Sequence, residues 1–167
     1  MANVRKNPAV LLALLYAIFI LYGTTIPFDL TLDATVVNSG IDAIRWTPFQ
    51  RVTGMRESLP DMATNFLLFI PLGALLAFAG YRSRRFKYNL IALILAILAS
   101  GTLSALVEAL QIYSPTRVTS ITDLMINIGG AACGAMASFI FYRWARDPLL
   151  SWCRREIDRS ILAVDVS

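Results

Sequence analysis

The sequence predicts an all-α fold: a polytopic membrane protein built as a four-transmembrane-helix bundle. A long extracytoplasmic loop separates the first two helices, and an amphipathic tail closes the chain. Three observations predict this. Of 167 residues, 57% are hydrophobic and only 16% charged, where a soluble domain carries about 25% charged residues. The charges leave four uncharged gaps of 22, 20, 20 and 19 residues, at 7–28, 62–81, 88–107 and 124–142. A helix rises about 1.5 Å per residue, so roughly 20 residues cross a hydrocarbon core of about 30 Å, and each gap holds one span. The 15 Lys and Arg residues are also shared unevenly between the loops.

The first span lies near 8–27, behind the basic pair Arg5 and Lys6. Its apolar run is long and no A-x-A cleavage pattern follows it, so it reads as a retained anchor, not a cleaved signal peptide. The 28–60 loop comes next. It runs through a polar stretch to Gly40 and on through Ile41–Gln50. Thr47, Pro48 and Gln50 have the form of a helix start, with Thr47 as cap and Pro48 at the first helical position. Two readings stay open here: a short helix from Pro48 at the membrane interface beside Trp46, or a flexible loop.

The second span lies near 61–81, the third near 87–112 and the fourth near 122–142. The third carries Ala92, Ala96, Ser100 and Ser104, and the fourth Gly130, Gly134 and Ser138, with Ala131 and Ala135 alongside. Small residues at four-residue spacing let helix backbones approach closely in lipid. A compact bundle is the main reading of these stripes, and homodimerisation through them the minor one. Residues 1–142 thus form the transmembrane domain. The 143–167 tail repeats Leu149, Leu150, Cys153, Ile157 and Ile161 at helical spacing. It reads as an amphipathic helix on the cytoplasmic membrane surface, with Trp152 and arginines near the headgroups.

Eleven basic residues fall in the N-terminus, the 82–87 loop and the tail, against Arg45, Arg51, Arg56 and Arg117 on the opposite side. The positive-inside rule then places the protein in the cytoplasmic (inner) membrane as a multi-pass protein, both termini cytoplasmic and the 28–60 and 113–121 loops outside. The net charge of +4 is thus mostly a topology signal, and nucleic-acid binding is a poor reading of it. With no histidine and only two cysteines, the chain offers no Ser-His or Cys-His pair and no zinc site. Cys133 and Cys153 read as structural. No cofactor and no metal is implied.

Polar residues within spans are costly, so their positions inform. Asp61 and Asn65 start the second span, Glu108 and Gln111 end the third, and Asp123 and Asn127 start the fourth. Spacings of three or four put each pair on one helix face, and the topology puts all three pairs at the same membrane side. Arg117, in the loop between two of these helices, can reach them. Structural roles stand beside the functional one. Asp61 and Asp123 end capping-box patterns, Ser58-Leu-Pro-Asp61 and Ser120-Ile-Thr-Asp123. Asn65 and Asn127 can be interhelical hydrogen-bond glue. Glu108 sits where the helix dipole disfavours an anion, and Arg117 is its nearest cation in sequence. A structural Glu108–Arg117 pair and a functional one are both open.

The run Asn65-Phe-Leu-Leu-Phe-Ile-Pro-Leu-Gly73 resembles the N-x-x-x-F-x-P-x-G signature of the VanZ-like family of small membrane proteins. Glu108-x-x-Gln111, Arg117 and Asp123-x-x-x-Asn127-x-x-Gly130 resemble its second block. Pro27-Phe28 and Pro48-Phe49 resemble its short P-F elements. The resemblance covers roughly residues 8–142. It implies a multi-span membrane protein of the cell envelope, in a family whose namesake is linked to teicoplanin susceptibility and whose members also occur near envelope polysaccharide genes.

The leading functional expectation is a non-enzymatic protein that binds a membrane lipid or lipid-linked envelope precursor. The ligand-binding set is Asp61, Asn65, Glu108, Gln111, Arg117, Asp123 and Asn127. Arg117 would meet an anionic headgroup or phosphate, with Arg45, Arg51 or Arg56 as helpers. Two alternatives remain: an intramembrane enzyme using Glu108 and Asp123 as an acid/base pair on a lipid-linked substrate, and a scaffold in which the polar residues only lock the bundle.

Overall fold

The structure is a computed structural model that describes residues 7–49, 59–81, 86–144 and 152. Among the described residues there are five α-helices and no strand: α1 Pro8–Thr25, α2 Ala34–Asp42, α3 Leu59–Gly80, α4 Phe86–Gln111 and α5 Ile121–Trp144. Four of them, α1, α3, α4 and α5, are long and apolar enough to cross a membrane. Each starts and ends within two residues of the corresponding charge-free gap's predicted span. Large apolar side chains stay exposed along them, such as Leu11, Leu15 and Ile18 on α1 and Ile91, Leu95 and Leu98 on α4. In lipid that exposure is solvation, not a defect. Of the predicted 143–167 tail, Arg143 and Trp144 belong to α5 and Trp152 is described; the rest of it and the basic clusters at Arg5, Lys6, Arg82, Arg84 and Arg85 lie outside the described residues.

Asn7 starts α1. Its side chain accepts from Ala9 N–H at 3.1 Å and donates to Ala79 O at 3.0 Å, so one residue both caps α1 and fixes it to the far end of α3. Pro27 pushes Ile26 into extended backbone, which ends the helix. Within α3, Pro71 removes the N–H that the Leu67 carbonyl would accept. Tyr16 of α1 donates to the next carbonyl, Leu68 O, at 3.0 Å.

Close packing of α3 on α5 forms the bundle's spine. A Cβ on Gly73 would lie 2.0 Å from Ala131 O, on Gly130 2.2 Å from Phe66 O, and on Gly134 1.9 Å from Ile70 O. Backbones this close gain dispersion contacts that lipid cannot supply. The α4 stripe of Ala92, Ala96, Ser100 and Ser104 is buried in the same bundle. These small residues are therefore consumed within one chain. At one end of the bundle the rings of Phe78, Tyr81, Phe139 and Tyr142 cluster. The opposite end carries the loops and the polar residues.

The 28–60 loop differs from its expected form. Its polar stretch folds into α2, because Asp33 accepts from Thr35 N–H at 2.8 Å and caps it. Gly40 lets α2 lie on the end of α4, where a Cβ would meet Ile112 O at 2.4 Å. No helix begins at Pro48. Phe49 has φ of 55°, outside the right-handed helical region, and its N–H is drawn to Thr122 Oγ1 at 2.9 Å. Residues 50–58, which include Arg51 and Arg56, lie outside the described residues.

Candidate functional site

Three helices and one loop deliver polar side chains to a single cavity of about 440 Å³ at the loop end of the bundle. All seven residues singled out in the sequence line it: Asp61 and Asn65 from α3, Glu108 and Gln111 from α4, Arg117 from the connecting loop, and Asp123 and Asn127 from α5. They are ordered by depth. Asp61 and Arg117 are exposed, Asn65, Gln111 and Asp123 are half-buried, and Glu108 and Asn127 are 6% and 3% exposed.

Hydrogen bonds between helices hold this end together. Asn65 Nδ2 donates to Asp123 Oδ1 at 2.9 Å, joining α3 to α5. Asn127 Nδ2 donates to Ser104 Oγ at 2.9 Å, joining α5 to α4. Ser120 N–H donates to Glu108 Oε2, also at 2.9 Å. That last bond rearranges the predicted capping box. Ser120 Oγ does accept from Thr122 N–H at 3.2 Å and so caps α5. The return bond, to the Ser120 N–H, comes from Glu108 on α4 instead of Asp123 on α5. Asp123 Oδ1 accepts from Asn65 across the helix pair.

The expected Glu108–Arg117 pair does not form. Arg117 instead donates through Nη2 to Ile26 O at 2.7 Å, tying the connecting loop to the end of α1. The backbone of the loop before α5 supplies a donor to Glu108 instead, through the Ser120 N–H. A second tie lies beside Arg117. Asp29 accepts from Ser114 Oγ at 2.7 Å and from Thr116 Oγ1 at 2.6 Å. These hydrogen bonds, the Thr116 one foremost, hold the Asp29 carboxyl below its ordinary range, and the nearby Arg117 charge acts in the same direction.

The loops thus form a roof. Arg45 N–H donates to Thr119 O and Arg45 O accepts from Ile121 N–H, both at 3.0 Å, while Thr31 N–H donates to Tyr113 O at 2.9 Å. Thr122, fully buried, receives Phe49 N–H under this roof.

Sequence reasoning missed Thr24, Thr64 and Thr116 on the wall, and Ser104 and Asp29 as supports. Ser104 was visible only as a small residue in a stripe. Asp29 sits 85 residues from Ser114, and no spacing rule reaches that far.

Chemically the cavity is rich in acceptors. Among the described residues three carboxylates and one guanidinium line it, and that guanidinium already serves a backbone carbonyl. At the deep end Asn127 Oδ1 is buried with no hydrogen-bond partner. Among the described residues no cluster of three or more carboxylate or thiol side chains could hold a metal ion. A family model described as VanZ/LLP1 matches residues 10–142. Neither a curated protein nor a solved structure matches the chain.

Proposed function

The chain belongs to the VanZ/LLP1 family, and on that premise we propose that it is a cell-envelope membrane protein that binds a lipid or lipid-linked ligand in this cavity. One observation carries the reading. Seven polar residues from three apolar helices and one loop converge on a single space of about 440 Å³, and polar groups are kept at that cost within spans when they have a task. Arg117 keeps four N–H groups beyond the one given to Ile26, and these meet a phosphate at the mouth. Arg45, Arg51 or Arg56 assist from the loop. Asn65, Gln111 and Asn127 bond headgroup or sugar atoms, and the carboxylates take hydroxyls or orient the arginine.

The basic loops put both termini in the cytoplasm and the cavity at the outer face. Ser39 on α2 is exposed, so Ser39→Cys should react with an impermeant maleimide on intact cells. Failure to react while disrupted cells do label would reverse the orientation. An outward cavity for a lipid-linked precursor fits a connection with teicoplanin susceptibility or envelope polysaccharide.

Lipid extracted from the purified protein should be enriched in one class over the bulk membrane, with the enrichment falling at least tenfold in Arg117→Ala. An extract identical to bulk lipid in both proteins refutes the reading. A scaffold role has its own support in the three interhelical hydrogen bonds. It requires that Asn65 and Asp123 variants lose folding and cellular phenotype together. An acid/base role for Glu108 and Asp123 requires that Glu108→Gln and Asp123→Asn fold normally and abolish the phenotype.

A further inference from the structure

We propose that the bound lipid enters this cavity sideways from the bilayer, through the seam between the loop-end halves of α1 and α3, and leaves its hydrocarbon chains in that seam. This deepens the headgroup-binding reading above and rests on it. It begins at Gly23. Among the described glycines, Gly23 is the one at which an added Cβ would meet nothing within 4 Å. Gly73, Gly130 and Gly134 lack side chains where backbones touch, and Gly23 serves no such contact. Glycine weakens a helix interior relative to alanine, so the open space beside it calls for another occupant. Gly23 is exposed and also lines the cavity. It therefore stands where the cavity meets its surroundings.

The two helices are joined below this point and part above it. Tyr16 of α1 donates to Leu68 O of α3 at 3.0 Å. Seven residues on along α1 and seven back along α3, about 10 Å nearer the loop end, stand Gly23 and Asp61. A step of seven returns to nearly the same helix face. Both residues are exposed and both line the cavity. Thr24 and Thr64, also on the wall, do not bridge the seam. Thr24 Oγ1 donates to Ile20 O and Thr64 Oγ1 to Pro60 O, both at 2.8 Å and within their own helices. Among the described residues no hydrogen bond joins α1 to α3 on the loop side of Tyr16. Elsewhere this end is tied, by Arg117 to Ile26 O and by Arg45 to Thr119 O.

Surroundings and size name the occupant. Phe19, one turn from Gly23, and Leu67, one turn from Thr64, are exposed apolar side chains. Both belong to helices long and apolar enough to cross a membrane, so hydrocarbon borders the opening. A space of about 440 Å³ has the size of a small-molecule pocket. It takes a headgroup while the chains stay in the bilayer, and the seam lets one molecule do both.

The full chain in nanodiscs of total lipid from the expressing cells tests this, with the retained lipid read by mass spectrometry. Gly23→Ala should retain the class enriched on the wild type, and Gly23→Leu at least tenfold less of it. With p-benzoylphenylalanine in place of Phe19, illumination should attach that same class, enriched at least tenfold over bulk lipid. The same photolabel in place of Leu11, exposed near the other end of α1, should attach lipid in bulk proportion. Should Gly23→Leu fail to fold, Thr64→Phe narrows the seam from α3 and should give the same loss. Bulk composition at position 19, while the retained lipid stays enriched and loses that enrichment in Arg117→Ala, overturns the seam and leaves headgroup binding standing. Full retention by Gly23→Leu overturns the seam as well. If the lipid retained by the wild type matches bulk lipid, both readings fall.

Discussion

A single carboxylate decides how the cavity end is wired. Glu108 supplies the acceptor for the Ser120 N–H at the start of α5, a bond that the local sequence assigns to Asp123. Glu108→Ala leaves that buried N–H without a partner and should cost about 1–3 kcal/mol. Glu108→Gln still presents an amide oxygen there and should cost less than half as much. Thermal unfolding in detergent, followed by circular dichroism, separates the two. Equal loss from both would mean that the charge of Glu108, not its acceptor oxygen, holds the α5 start. This residue also marks a limit of sequence reading. Its helix and its depth were legible, because a carboxylate near a helix C-terminus stands out. Its partner was not, since the choice between Arg117 and a backbone N–H depends on the path of the 112–120 loop.

The spans themselves were legible because each needs only a length and an absence of charge, which a single sequence displays directly. Element pairing was less so. The glycines of α5 announce close packing, yet only the structure shows that Gly130 and Gly134 face Phe66 and Ile70 of α3. Gly134→Leu sets a side chain where a Cβ alone already lies 1.9 Å from a carbonyl oxygen. Such overpacking typically costs about 1–3 kcal/mol, and here backbone must move, so a loss at or above that range is expected. A chemical-denaturation curve in mixed micelles measures it; an unchanged midpoint would show that α3 and α5 pack elsewhere. The short α2 escaped detection for a different reason. Thr35, Val36 and Val37 are poor helix formers, and the helix forms with its Asp33 cap and its seat on Ile112.

Across the whole molecule, the roof joins parts that are distant in sequence. Asp29 meets Ser114 and Thr116, and Ile26 meets Arg117. Asp29 titrates low in the folded protein, so its stabilising contribution is complete above the unfolded value of about 3.9 and is lost as pH falls through the folded one. Asp29→Asn should therefore melt below the wild type at pH 7, and the two should converge as pH drops below about 4. Melting temperatures recorded from pH 7 to pH 3 test this. A gap that persists unchanged at pH 3 would assign the loss to geometry and not to charge. No sequence rule foresaw the roof, since none links charges to hydroxyls across three helices.

The 91-residue separation between Ile26 and Arg117 also has a meaning in time. Chains grow at about 5–20 residues per second, so roughly 5–18 s pass between the synthesis of the two. Until Arg117 is made, the α1 end of the wall lacks its loop partner, and Asp123 and Asn127 of α5 follow later still. The cavity is therefore complete only when α5 joins the bundle, and a product truncated or stalled before α5 presents membrane helices without it.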